Sequence, residues 1–122
     1  MRTKYGAKKE TIDGIVFDSL AEGRRYRDLK LMERAGEIRG LVVHMPYLLE
    51  VNGIPVAQYE ADFTYSRREG LEWGPNVVED VKGMRTGPAW SLFRLKAKLF
   101  AAIYGFEIEV YPTKPKKHRR RK

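Results

Sequence analysis

The chain is expected to fold as an α/β domain in which a mixed central β-sheet is flanked by two main helices. Three observations predict this. Two segments, near residues 19–36 and 88–105, carry helix-spaced apolar residues between recognisable start and stop residues. Short β-type runs lie before, between and after them, and two of the connections read Asp-Gly and Asn-Gly. A length of 122 residues suits one core and one domain, and strands enclosed by helices are most simply covered on both sheet faces.

In chain order, residues 1–9 are basic and open the chain loosely. Thr11-Ile12 and Ile15-Val16-Phe17 flank Asp13-Gly14, a pair that supplies the positive φ angles of a tight hairpin turn. Ser19 opens the first helix, with Glu22 three residues on in the Ser-x-x-Glu capping pattern, and Gly36 ends it after Ala35. Strands are expected at Tyr47 to Val51 and Val56 to Ser66, joined by the Asn52-Gly53 turn, and again from Asn76 to Lys82. Pro88 marks the start of the second helix, which runs to Tyr104 and stops at Gly105. A last strand, Glu107 to Val110, completes the order β-hairpin, α, β, β, β, α, β. No internal repeat interrupts it.

Composition narrows the chemistry. The chain has no cysteine, which removes disulfides and thiolate zinc sites and fits a reducing compartment. His44 and His118 are its two histidines, too few for the usual zinc or Ser-His-Asp arrangements unless they converge from a strand and the tail. No apolar run approaches membrane-spanning length and no secretory leader is visible, so a cytoplasmic protein of a bacterial or archaeal cell, or of a phage-infected one, is expected. No membrane partner and no small-molecule cofactor are implied.

The net charge of +8 is concentrated at one end. Residues 114–122 carry seven of the 24 basic residues and none of the 16 acidic ones, leaving 17 against 16 in residues 1–113. A nearly neutral domain, 1–111, is therefore followed by a basic arm, 112–122, in which Pro112 and Pro115 oppose helix. Such an arm is expected to stay disordered until it lies along a polyanion, where Lys116, Lys117, Arg119, Arg120 and Arg121 would contact phosphate without reading sequence. A solubilising tail is the plainer alternative.

Three acids stand out. Glu22, Tyr26 and Leu29 fall at i, i+4 and i+7, so Glu22 lies on the stripe facing the sheet as well as in the capping position. In Tyr59 to Tyr65 the alternation puts Tyr59, Ala61, Phe63 and Tyr65 on one face and Glu60, Asp62 and Thr64 on the other. In Val77 to Lys82, Asp80 and Lys82 share a face with Val78, while Glu79 shares the other with Val77 and Val81. A strand with apolar residues on both faces is expected to be central and covered, where a carboxylate needs a partner. Paired with the Asp62 strand, it would bring Asp62 and Asp80 together. Oxygen donors at this density suit Mg²⁺, with Mn²⁺ as substitute.

The order of helical Glu22, strand Asp62, then Asp80-Val81-Lys82 and a following helix resembles the PD-(D/E)xK nuclease superfamily. Within it, the chain resembles the small Holliday-junction-resolving enzymes of archaeal type and related phage endonucleases, over Lys4 to Val110. Ala61 stands where the motif name has proline, and Asp80 is the shorter acid. An assignment shifted by one residue, onto Glu79, is the alternative. The resemblance implies a restriction-endonuclease-like core and metal-dependent hydrolysis of DNA phosphodiesters that leaves 5′-phosphate ends. It also implies that Glu22, Asp62, Asp80 and the Val81 carbonyl hold the metal, while Lys82 orients the attacking water or meets charge on the phosphate. Four-way junctions need two symmetric cuts and a chain this size has one site, so a homodimer on branched DNA is expected. Two other readings stay open: another nuclease of the superfamily, restriction-like or end-processing, and a non-catalytic branched-DNA-binding module. Lys8, Lys9, Arg24, Arg25, Arg94, Lys96 and Lys98 are the candidate DNA contacts outside the arm. Ala89, Leu92, Leu95, Leu99, Phe100 and Ile103 are expected to be core.

Overall fold

The structure is a computed structural model that describes residues 8–113. The arm residues Lys116, Lys117, Arg119, Arg120 and Arg121 lie outside the described residues, as does His118. The element order is that predicted: β1 (Glu10–Ile12), β2 (Ile15–Phe17), α1 (Leu20–Arg34), β3 (Ile38–Val51), β4 (Ile54–Glu69), β5 (Glu72–Val81), α2 (Gly87–Tyr104) and β6 (Glu109–Tyr111). β1 and β2 form a separate hairpin, and the main sheet runs β3-β4-β5-β6. β3, β4 and β5 are antiparallel neighbours, while β6 returns through α2 to lie parallel to β5. The sheet is thus mixed. Among the described residues, no helix is long and apolar enough to cross a membrane.

Local signals explain most boundaries. Ser19 caps α1 by accepting from the Glu22 N–H at 3.1 Å, and Gly105, at φ 83°, closes α2 in the left-handed conformation. The strands exceed expectation. β3 begins at Ile38 rather than Tyr47, β4 reaches Glu69, and β5 starts at Glu72 across a Gly70-Leu71 turn that the sequence pattern does not announce. The first half of β3 holds Gly40 and a register shift between Arg39 and Val42, and Pro46 follows, which together blur its alternation. Pro46 is tolerated because β3 is an edge strand. β5 is central as expected, with Val77 to Val81 all buried.

Two cores occupy the two faces. Tyr26 and Leu29 of α1 pack with Phe17, Ile38, Phe63, Tyr65, Val77 and Val81, and Phe93 and Phe100 of α2 pack with Leu49, Tyr59, Ala61, Val78 and Ile108. The predicted single face of Tyr59, Ala61, Phe63 and Tyr65 is therefore corrected: the first two pack under α2 and the last two under α1. The exchange occurs between Ala61 and Phe63, beside Asp62. Across the ladder, Val43 packs with the α1 core and Tyr47 with the α2 core, and between them His44 takes φ 59°. A left-handed residue inside a strand turns the following side chains to the other face, which simple alternation cannot anticipate.

A second correction concerns α2. Leu99, Phe100 and Ile103 pack in its core with Trp90, Phe93 and Ala97, whereas Ala89 is exposed and Leu92 and Leu95 are 54% and 64% exposed.

Candidate metal centre

The ladder fixes where the acids meet. Phe63 pairs with Glu79 at the end of the β4–β5 pairing, so Asp62 and Asp80 are the next residues along each strand. Beyond this point β4 continues with β3 alone, while β5 ends at Val81 and the Lys82 N–H bonds the Tyr111 carbonyl of the β6 side. The sheet forks, and Asp62 sits in the fork. Its Oδ2 accepts from the Val81 N–H at 2.8 Å, bridging the opening strands. The Val81 carbonyl leaves an extended strand on the same side as that N–H and faces the same fork.

Asp80 is 3% exposed. Its Oδ2 accepts from the Tyr59 hydroxyl at 2.6 Å, and its Oδ1 lies 3.0 Å from Lys82 Nζ. That ion pair lacks hydrogen-bond alignment, so Oδ1 remains a buried side-chain oxygen without a hydrogen bond among the described residues. With the lysine charge beside it but no hydrogen-bond donor, this buried oxygen keeps a lone pair free for a further donor or a cation. Lys82 is also held above the Phe93 ring, 4.5 Å from its centroid, so α2 limits where the ammonium can go.

Glu22 comes from the first turn of α1. Its Oε2 accepts a long 3.3 Å bond from the Asp18 N–H, so the residue serves the helix start and the site at once. Burial, then Asp18 and Asp80, push its carboxyl up to about 7. Asp62 is likewise driven well above the carboxylate range, by burial first and then by Asp80 and Glu22; the Val81 N–H and Lys82 only partly compensate. These acids crowd one another more than one lysine can balance.

Glu22, Asp62 and His44 bring ligand atoms within 4.8 Å of one another. Asp80 is outside this closest trio, although its charge acts on both acids. The motif in the sequence unites Glu22, Asp62, Asp80 and Lys82 but includes neither His44 nor Tyr59. In the sequence His44 is only one of two scarce histidines, and nothing around it announces its backbone conformation.

The alternative ligand Glu79 has a different role. It faces α1, where Arg25 Nε and Nη2 grip it at 2.9 and 2.8 Å and the Tyr65 hydroxyl donates at 2.8 Å. Arg25 also stacks over Tyr111 at 3.8 Å, and only 12% of its side chain is exposed. Arg25, a candidate DNA contact, is thus engaged in neutralising a buried acid.

The other cations vary in freedom. Lys8 and Arg24 are exposed, and Lys9 is 3.9 Å from Asp18. Lys96 donates to the Gln58 carbonyl at 2.9 Å, pinning α2 to β4. Arg94 and Lys98 line an open groove of about 360 Å³ with Trp90, Phe93 and Ile108. Phe93 joins that groove to the lysine of the site.

A family model described as "Protein of unknown function (DUF1064)" matches residues 2–118, nearly the whole chain. No curated protein and no solved structure matches.

Proposed function

We propose that this chain, which belongs to the DUF1064 family, is a metal-dependent DNA endonuclease with a restriction-endonuclease-like (PD-(D/E)xK) core that resolves four-way junctions by paired, symmetric phosphodiester hydrolysis. The observation that carries the reading is the fork: Asp62 and Asp80 are the first residues past the end of the β4–β5 pairing, Asp80 with a buried oxygen that has no hydrogen bond beside Lys82. Glu22 reaches Asp62 from α1.

The donors fit a hard divalent ion. Glu22, Asp62, Asp80 and the Val81 carbonyl would hold it, and when bound it supplies Lewis acidity at the phosphate and a water of lowered pKa. The chain's own residues do the rest. Tyr59 fixes the Asp80 carboxylate by its hydroxyl, so the remaining oxygen faces one direction. Lys82, kept by Asp80 and Phe93, holds a positive charge where a phosphate oxygen gains charge and orients the attacking water. Asp62 spans the fork through Val81 and keeps both strands in reach of one phosphate. Arg94 and Lys98 beside Phe93 offer backbone contacts leading from the site.

Branched DNA is favoured by the motif order and its resemblance to junction-resolving enzymes. Two symmetric cuts need two copies related by a two-fold axis, and exposed Leu92 and Leu95 on α2 suit such contact. The test is cleavage of a labelled immobile four-way junction with Mg²⁺ or Mn²⁺, beside linear duplex, flap and single strand, with Asp80→Asn as control. Paired nicks confined to the junction and absent with the variant support the reading. Cleavage of linear duplex would assign another nuclease activity, and binding without any cleavage would leave a DNA-binding module.

A further inference from the structure

The second edge of the fork is formed by His44. Val43 pairs with Phe63 and Met45 with Ala61, which brings His44 level with Asp62 across the β3–β4 ladder. Its ring packs against Phe17 at 5.8 Å between centroids, and a ring nitrogen lies within 4.8 Å of ligand oxygens of Glu22 and Asp62. At φ 59° a glycine would make the same turn without strain, yet this chain carries an imidazole there. Independently, the neighbouring buried Asp80 Oδ1 has no hydrogen bond and only the unaligned Lys82 ammonium at 3.0 Å beside it.

We infer that His44 is a direct metal ligand, making this a mixed imidazole–carboxylate site that takes Mn²⁺ more tightly than Mg²⁺. The inference rests on the metal-dependent reading above and changes which ion that reading favours. Mg²⁺ is held by oxygen donors and water, with close to ideal octahedral demands and reluctant dehydration. Mn²⁺ is the weakest-binding divalent ion of its transition series, but as a member of that series it accepts an imidazole among carboxylates, which Mg²⁺ disfavours. One nitrogen donor therefore separates two ions that an all-oxygen set would treat more alike. His44 reaches the site from β3, outside the helix–strand–strand motif, so it adds a ligand that motif lacks.

The test uses the full chain with each ion alone and needs no DNA. Mn²⁺ affinity is measured from the loss of the free-ion electron paramagnetic resonance signal, and Mg²⁺ affinity by competition. Pulsed spectra of the bound Mn²⁺ then report whether a ¹⁴N nucleus is coordinated. Because the chain has only two histidines, a His118→Ala background makes His44 the sole imidazole. His44→Gly accepts the backbone angle, and His44→Asn is a second variant able to adopt it. The expected result is ¹⁴N coupling in His118→Ala that disappears in both His44 variants. Mn²⁺ affinity should fall by at least about tenfold, since even outer partners of a ligand are worth roughly that much, with a much smaller change for Mg²⁺. If both ions bind with no nitrogen coupling and an unchanged preference in His44→Gly, the inference is overturned and the metal-dependent reading stands. If the unmodified chain binds neither ion, both are overturned.

Discussion

Neutralising Asp62 should make the metal-free protein more stable while removing its metal. In the folded state its carboxyl is raised from 3.8 to about 8, with burial as the first cause and the charges of Asp80 and Glu22 behind it. Between those pH values the folded protein keeps a proton that the unfolded chain has released, so stability falls as pH rises through that window. A single uncoupled carboxyl shifted this far would weaken the fold by on the order of 5 kcal/mol at high pH. Asp80 and Glu22 share the burden and readjust once Asp62 is neutral, so Asp62→Asn is expected to return about 2 kcal/mol. Asparagine keeps an oxygen for the Val81 N–H, which Asp62 now binds at 2.8 Å. For a domain of this size, about 2 kcal/mol is roughly 5 to 10 °C in Tm. The assay is thermal unfolding in EDTA at pH 5 and pH 8. The variant should exceed the parent at pH 8 and nearly match it at pH 5. With saturating Mn²⁺ the order should reverse, because only the parent gains binding free energy. A lower Tm for Asp62→Asn at pH 8, or an equal increment at both pH values, would refute the claim that crowded carboxylates strain this fork.

Three further outcomes follow from the same geometry. Tyr59→Phe removes the hydroxyl that holds Asp80 and should weaken metal binding or cleavage by roughly 10- to 100-fold with the fold retained, measured as Mn²⁺ affinity and junction cleavage rate. Arg25→Ala leaves Glu79 buried with Tyr65 as its remaining side-chain donor, and urea unfolding should show a loss of about 3 to 5 kcal/mol. Truncation after residue 113 removes seven basic residues, and DNA affinity measured against salt should show a slope shallower by about 0.9 for each phosphate the arm had neutralised, with the cut positions unchanged.

How much of this is legible in the sequence depends on whether the cause is local. The Asp13-Gly14 and Asn52-Gly53 turns, the Ser19 and Glu22 cap, Pro88 and Gly105 act within a few residues, and each marks its boundary in the sequence. The i, i+4, i+7 stripe likewise places Glu22 beside Tyr26 and Leu29, both buried. The sequence pattern shows only the second half of β3 because Gly40, a register shift and Pro46 disrupt the alternation by which a strand is recognised. The face exchange at Asp62 is invisible because strict alternation is assumed along β4, and the left-handed His44 level with it lies eighteen residues earlier on another strand. Arg25 reads as a DNA contact because its partner, Glu79, is fifty-four residues away and only folding joins them.

The contrast between Glu79 and Asp80 separates structure from function on one strand. The two acids are neighbours, almost equally buried at 2% and 3% exposure, and alternate to opposite faces. Glu79 has two guanidinium bonds and a tyrosine hydroxyl, which satisfy a buried carboxylate and tie α1 to the sheet. Asp80 has one hydroxyl on Oδ2, and its Oδ1 has only an unaligned lysine and no hydrogen bond. If both served only packing, their removal should have similar effects. Instead, Glu79→Gln should lower stability and leave metal affinity nearly unchanged, whereas Asp80→Asn should abolish tight metal binding with little loss of stability in EDTA. Measuring unfolding and Mn²⁺ affinity on the same two variants decides between these outcomes. Equal destabilisation by both, with metal affinity untouched by Asp80→Asn, would make Asp80 a second structural acid and remove the physical basis for a metal in the fork.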